Sequence, residues 1–162
     1  MLIAAAAVYG GGSYTALKRE QLNELDTLCH TLRLMQDELE TRALPLPELA
    51  AQLDTRTESA GKALLSGLLR RLPELGSRDF QNIWEECVTE SVKHSEEAAR
   101  LLCTLGSFLG RYDVDSQLEA IRSCRETLEK LRTTAAEALP QTRRLGMGLA
   151  LTSGALIVIT LI

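Results

Sequence analysis

The chain is poor in the side chains that perform chemistry. Its 162 residues hold two histidines, four cysteines, one tryptophan and 4% aromatics in all. Cys29, Cys87, Cys103 and Cys124 are far apart with no C-x-x-C pair, and His30 and His94 are not at a metal-ligand spacing from them. Neither a zinc site nor a disulfide is expected; each cysteine falls on an apolar helical face, where a small buried thiol is the simpler reading. Also missing are the G-x-x-x-x-G-K-[ST] phosphate loop, G-x-G-x-x-G, H-E-x-x-H and G-x-S-x-G. The run Gly10-Gly11-Gly12 lies in an apolar stretch rather than between a strand and a helix, so it is no phosphate cradle. With no general acid/base pair to name, no enzymatic activity, cofactor, metal or small-molecule substrate is expected. A surplus of positive charge is absent too: 18 Lys/Arg face 22 Asp/Glu, a net charge of −4, which argues against binding nucleic acid by counterion release.

Charge is lacking most conspicuously at the two ends. All Lys, Arg, Asp and Glu fall between Lys18 and Arg144, leaving residues 1–17 and 145–162 without an ionisable side chain of these types. The C-terminal stretch would span about 27 Å as a helix, close to the ~30 Å of a hydrocarbon core. The N-terminal stretch is as long but weaker, being rich in alanine and glycine. It is read as a span and not a cleaved signal peptide, because a signal peptide carries its positive charge before the apolar run, whereas Lys18-Arg19 follow it. Arg143 and Arg144 precede the second span, so the positive-inside rule places the middle of the chain in the cytoplasm. The expected organisation is an N-terminal transmembrane segment (1–17), a cytosolic helical domain (18–144) and a C-terminal transmembrane segment (145–162), a two-span hairpin with both termini outside. Small residues at helical spacing, Ala6 and Gly10 in one span and Gly146, Ala150 and Gly154 in the other, would let the spans pack closely.

Alternating strand patterns are absent from residues 18–144, where Leu and Ala dominate, so the fold class is all-α. Leu22, Leu25, Cys29, Leu32, Met35 and Leu39 recur at helical steps and predict a first helix running to about Thr41. Pro45 and Pro47 cannot both sit inside one helix; Pro47 suits the first turn of the next. Thr55-Arg-Thr-Glu58 reads as a capping box opening a helix with Ala60, Leu64, Leu65, Leu68, Leu69 and Leu72 inward. A short helix around Phe80, Ile83, Trp84, Cys87 and Val88 follows, capped by Ser77 or Asp79, with Trp84 in the core. Ser95 opens another, with Ala98, Leu101, Leu102, Leu105, Phe108 and Leu109 inward and Gly110 at its end. Asp113 caps the last helix, which turns Leu118, Ile121, Leu128, Leu131, Ala135 and Leu139 inward and kinks or breaks near Pro140. About six helices result, the first and last extending into the spans. Residues 56–78 hold five bases against two acids and residues 79–97 six acids against one base. This is either a solvated helix face or a polarised surface that orients a partner.

The order of these features resembles a known family. An apolar anchor and basic pair lead into a Leu-rich helix ending Leu39-Glu-Thr-Arg-Ala-Leu-Pro-Leu-Pro-Glu-Leu49. The Leu-Gly-x-x-Asp-x-x-x-Gln pattern of Leu109, Gly110, Asp113 and Gln117 comes next, and Arg143-Arg144-Leu-Gly146 precedes the terminal span. Together with Pro45 and Pro47, these residues resemble the stage III sporulation protein AB family over nearly the whole chain. The resemblance implies a place in the mother-cell membrane facing the forespore of an endospore-forming bacterium, within the complex of stage III A proteins. It also implies a cytosolic domain similar to the inner-membrane platform domains of type II secretion and type IV pilus systems, docking a secretion-type ATPase, stage III sporulation protein AA. A reading from a different class is an autonomous membrane-anchored signalling or oligomerisation module that uses the Leu22–Leu39 stripe as a dimer seam.

Overall fold

The structure, a computed structural model, describes the backbone of residues 2–109 and 113–160 and the side chains of residues 16–109 and 113–138. The described residues form six α-helices: α1 (Leu2–Arg42), α2 (Leu46–Asp54), α3 (Ser59–Arg71), α4 (Phe80–Ser91), α5 (Glu96–Gly106) and α6 (Val114–Thr160). A 3₁₀ turn, Leu72–Glu74, links α3 to α4, and among the described residues no β-strand occurs. The all-α expectation holds, with the two long helices first and last.

The apolar stripe of α1 explains the architecture. Leu25, Leu28, Leu32, Met35 and Leu39 are each at most 5% exposed. Burying side chains of this size is worth about 1.5–3 kcal/mol apiece before entropy is subtracted, so the stripe must be covered. It is covered by the rest of the same chain: α6 lies along α1, and α2 and α3 pack on its remaining flank. The ion pairs Asp26–Arg132 (2.5 Å) and Glu40–Arg122 (3.5 Å) set α1 and α6 antiparallel. A dimer seam on the Leu22–Leu39 stripe is therefore not available without unfolding the bundle. α4 and α5 add Ile83, Trp84, Cys87, Val88, Leu102 and Leu105 to the core, all buried.

Three local expectations are corrected. The Thr55–Glu58 capping box does not form. Thr55 instead follows the end of α2, its hydroxyl donating to the Gln52 carbonyl, and Thr57 donates to Leu53 O at 2.9 Å. These hydroxyls satisfy the orphan carbonyls of a helix end rather than the orphan N–H groups of a helix start. α3 begins at Ser59, with Glu58 at the N-cap position and no side-chain cap bond. Second, α5 stops at Gly106, not at Gly110, and Ser107 closes it through its N–H to Thr104 and Leu105 carbonyls. Third, of the kink or break expected near Pro140, the break does not occur: α6 continues as helix through it.

The other boundaries follow their sequence signals. Pro47 sits in the first turn of α2, where a missing N–H leaves no bond unmade. Ser95 caps α5, its hydroxyl oxygen accepting the Ala98 N–H at 3.3 Å. α4 starts after Asp79, which holds the N-cap position without a side-chain cap hydrogen bond. Ala43 adopts a left-handed φ of 46° immediately after α1, a conformation usually given to glycine and costing alanine roughly 1 kcal/mol. That turn redirects the chain into Pro45 and Pro47.

Both apolar ends are continued as helix, by α1 from Leu2 and by α6 to Thr160. The side chains of residues 1–15 and 139–162, and with them most of the two expected spans, lie outside the described set, as do those of Ala6, Leu139, Ala150 and Gly154. Among the described residues no helix is long and apolar enough to cross a membrane.

Candidate functional site

Two sequence segments singled out for their motifs, 39–49 and the described part of 109–117, lie at the same end of the bundle. α1 runs towards that end and α6 starts from it, and the Glu40–Arg122 contact at 3.5 Å ties them there. Pro45 and Pro47 are both exposed; Pro45 stands at the N-cap position of α2, where its carbonyl accepts the Leu49 N–H at 2.9 Å. Leu109 is fully buried and belongs to the core. Asp113 caps α6: its carboxylate accepts the Ser116 hydroxyl at 2.7 Å and, more weakly, the Ser116 N–H at 3.4 Å. The hydrogen bonds from Ser116 hold the Asp113 carboxyl below its ordinary range. Gln117 completes the first turn, its N–H on the Asp113 carbonyl at 3.1 Å. Gly110 lies outside the described residues; Arg143, Arg144 and Gly146 lie in α6 beyond its last described side chain. The motif residues that are described thus build turns, a cap and a core contact, not a reactive centre.

Reactive chemistry is not found elsewhere among the described residues either. They contain no cluster of His, Cys, Asp and Glu able to hold a metal. All four thiols are free. Burial, with Glu129 adding to it, pushes Cys29 up to about 11, and burial pushes Cys124 up to about 12. Cys87 and Cys103 are raised by burial as well. A thiol whose ionisation is suppressed is a poor nucleophile and metal ligand, so these cysteines pack.

The Cys124 shift has a sign that can be tested. A folded-state pKa above the unfolded value of 9.0 means that the unfolded chain gives up its proton first. The contribution is intact below pH 9.0 and is lost as pH rises towards about 12. Thermal melts across that window should show wild type losing stability more steeply than Cys124→Ala; parallel curves would remove the thiol from the account.

The surface beside Asp113 is more distinctive. Leu101, Thr104, Leu105 and Phe108 on one side and Ser116, Glu119, Ala120, Ser123, Cys124 and Thr127 on the other line a groove of about 570 Å³ between α5 and α6. Phe108 and Val114, each 38% exposed, lie at its Asp113 end. Sequence periodicity places Phe108 inward, but α5 ends two residues before it, so the helical register no longer applies. Ser116, Ala120, Ser123 and Thr127, small residues at three- and four-residue steps, are the sequence signal for the groove.

The uneven charge blocks resolve differently. Arg71 pairs with Glu86 (3.7 Å) and Glu90 (2.6 Å), and Arg78 pairs with Glu74 (2.8 Å) and Glu86. The basic block and the acidic block thus partly neutralise one another across α3 and α4. Exposed pairs of this kind add little stability, but they leave less unbalanced charge to orient a partner.

One residue that pattern reading passes over is Glu24. It is 5% exposed, and its carboxylate accepts the N–H of Lys93 at 2.8 Å and of His94 at 3.1 Å. A charge-assisted clamp of this sort fixes the α4–α5 connection against α1. A carboxylate on a helix reads as solvated when its partners lie so far along the chain.

The family model for stage III sporulation protein AB matches residues 1–162. A solved structure of a stage III sporulation protein AB is similar to this chain with a TM-score of 0.65 and 21% identity, covering 75% of this chain and 97% of its own. At that identity the likeness speaks for the fold. No curated protein matches the chain.

Proposed function

The chain belongs to the stage III sporulation protein AB family, and on that premise we propose that it is a non-enzymatic membrane scaffold of the stage III A transenvelope complex. In this reading residues 1–17 and 145–162 are its two spans in the mother-cell membrane. Residues 18–144 form a cytoplasmic platform similar to those of type II secretion systems, on which the ATPase stage III sporulation protein AA docks alongside the other stage III A proteins.

The observation that carries the docking role is the convergence of the two motif segments. The Pro45–Pro47 turn and the Leu109–Gln117 junction are separated in sequence, yet α1 and α6 deliver them to one end of the bundle, opposite the end from which both helices continue into the apolar stretches. A rigid antiparallel pair with an apolar stretch at one end and a built surface at the other suits a part that couples a membrane to a cytoplasmic partner. Helical continuity through Pro140 supports direct mechanical connection of the α6 bundle segment to the proposed second span.

The test is binding of the purified ATPase from the same organism to the detergent-solubilised full chain. Co-elution as a complex in size-exclusion chromatography is expected; separate elution at micromolar concentrations of both would overturn the docking role.

A further inference from the structure

Resting on the platform reading above, we propose that the groove between α5 and α6 receives an amphipathic helix of another protein whose apolar stripe is bordered by Lys and Arg. Shape comes first. The α6 wall is made of small side chains, Ser116, Ala120, Ser123 and Thr127, and the opposite wall is apolar, with Leu101 half-buried and Leu105 buried beneath. From Ser116 to Thr127 the trough runs along three turns of α6, about 16 Å at ~1.5 Å per residue. That length accepts the i, i+3/i+4, i+7 apolar anchors by which one helix is laid into a groove.

Charge selects among occupants. Asp113 and Asp115 stand at one mouth of the trough, Glu119 lines its wall and Glu126 follows two turns further along α6. Of the bases on the same stretch, Arg122 is shared between Glu40 (3.5 Å) and Glu119 (3.1 Å), Arg125 pairs with Glu129 (2.5 Å), and Lys130 follows Glu126 by one turn. Residues 113–130 hold five acids against three bases, so the border is net acidic. A helix with basic residues beside its apolar stripe matches it, and an acidic helix or an anionic lipid surface does not. A second copy of this chain fits poorly, because the basic helix α3 spends its apolar face, Leu64, Leu65 and Leu68, on its own core.

Photo-crosslinking in sporulating cells tests this with the full chain, carrying benzoylphenylalanine in place of Ser123 on the trough wall. An adduct is expected whose crosslinked peptide, identified by mass spectrometry, is an amphipathic segment with Lys or Arg beside its apolar positions. Reversing the border with Asp115→Lys and Glu119→Lys, both exposed positions, should lower that adduct about tenfold while the chain accumulates normally in the membrane. No adduct, an adduct to lipid, to a second copy or to an acidic segment, or a yield unchanged by charge reversal would each overturn the proposal. If the segment has the stated chemistry but belongs to a protein other than the ATPase, the groove assignment stands and the ATPase reading is decided by the co-elution test alone.

Discussion

Replacing Trp84 by alanine is expected to cost about 3–5 kcal/mol of folding stability, the range for removing a fully buried aromatic side chain. The indole has 0% exposure, and its Nε1–H donates to the Leu102 carbonyl at 2.6 Å, which ties α4 to α5. Phe80 stacks on it with ring centroids 6.1 Å apart. Its other neighbour is Gly106: a Cβ built there would lie 2.2 Å from Cδ1 and 2.8 Å from Cγ and Nε1. The last residue of α5 must therefore lack a side chain for the ring to lie where it does. Gly106→Ala alone should also destabilise, because the ring cannot retreat without giving up its hydrogen bond. In the Trp84→Ala background the same glycine substitution should cost far less, since the cavity left by the indole receives the added methyl group. Urea unfolding of the four proteins in detergent, followed by circular dichroism, gives the cycle. Additive effects, or a Trp84→Ala loss below about 1 kcal/mol, would mean that α4 and α5 are held by something other than this contact.

This contact also marks how far the sequence carries. Helix number, the inward faces of α1, α3 and α4, the Ser95 and Asp113 caps and the burial of Trp84 all follow from periodicity and capping chemistry, which act within a turn or two of chain. The features that were not legible involve residues distant in sequence. Gly106 reads as a mild helix breaker and becomes specific only when Trp84 arrives from another helix. Glu24 reads as one more solvated carboxylate until the Lys93 and His94 amides are brought to it. Thr55–Glu58 has the spacing of a capping box, yet the hydroxyls turn back to close α2, because a threonine beside a helix end can satisfy carbonyls as readily as a helix start can use its oxygen. At the candidate site the Pro45–Pro47 turn and the Asp113 cap were legible one by one. Their meeting at one end of the bundle was not, since it depends on α6 returning along α1. The groove was hidden for a smaller reason, the early end of α5 at Gly106, which frees Phe108 from the helical register.

Gly61→Ala is the second substitution with a large expected effect, and it tests whether the crossing of α3 over α1 fixes the bundle. A Cβ at position 61 would fall 1.9 Å from Thr31 Oγ1 and 3.2 Å from both Thr31 Cβ and the Thr27 carbonyl. Thr31 is 1% exposed, and its hydroxyl already donates to Thr27 O at 2.7 Å. Its χ1 is stiff, so turning the hydroxyl aside breaks that bond and drives the methyl group into the same space. The helices must then separate, at about 1–3 kcal/mol for an overpacked core site. Thr31→Ala in the Gly61→Ala background removes the clashing oxygen and should restore most of the loss, whereas Thr31→Ser keeps the oxygen and should restore little. This contrast separates a steric crossing from an intrinsic helix effect, because alanine is otherwise the better helix former and would stabilise α3 if nothing stood opposite. Should Gly61→Ala raise the unfolding midpoint, the close approach of α3 to α1 would be refuted. The consequence reaches the proposed docking end, since α3 packs on both α1 and α2, and α2 opens from the Pro45–Pro47 turn. A chain with α3 displaced should bind the proposed ATPase partner more weakly even at temperatures where it remains folded, and Thr31→Ala should return binding and stability together.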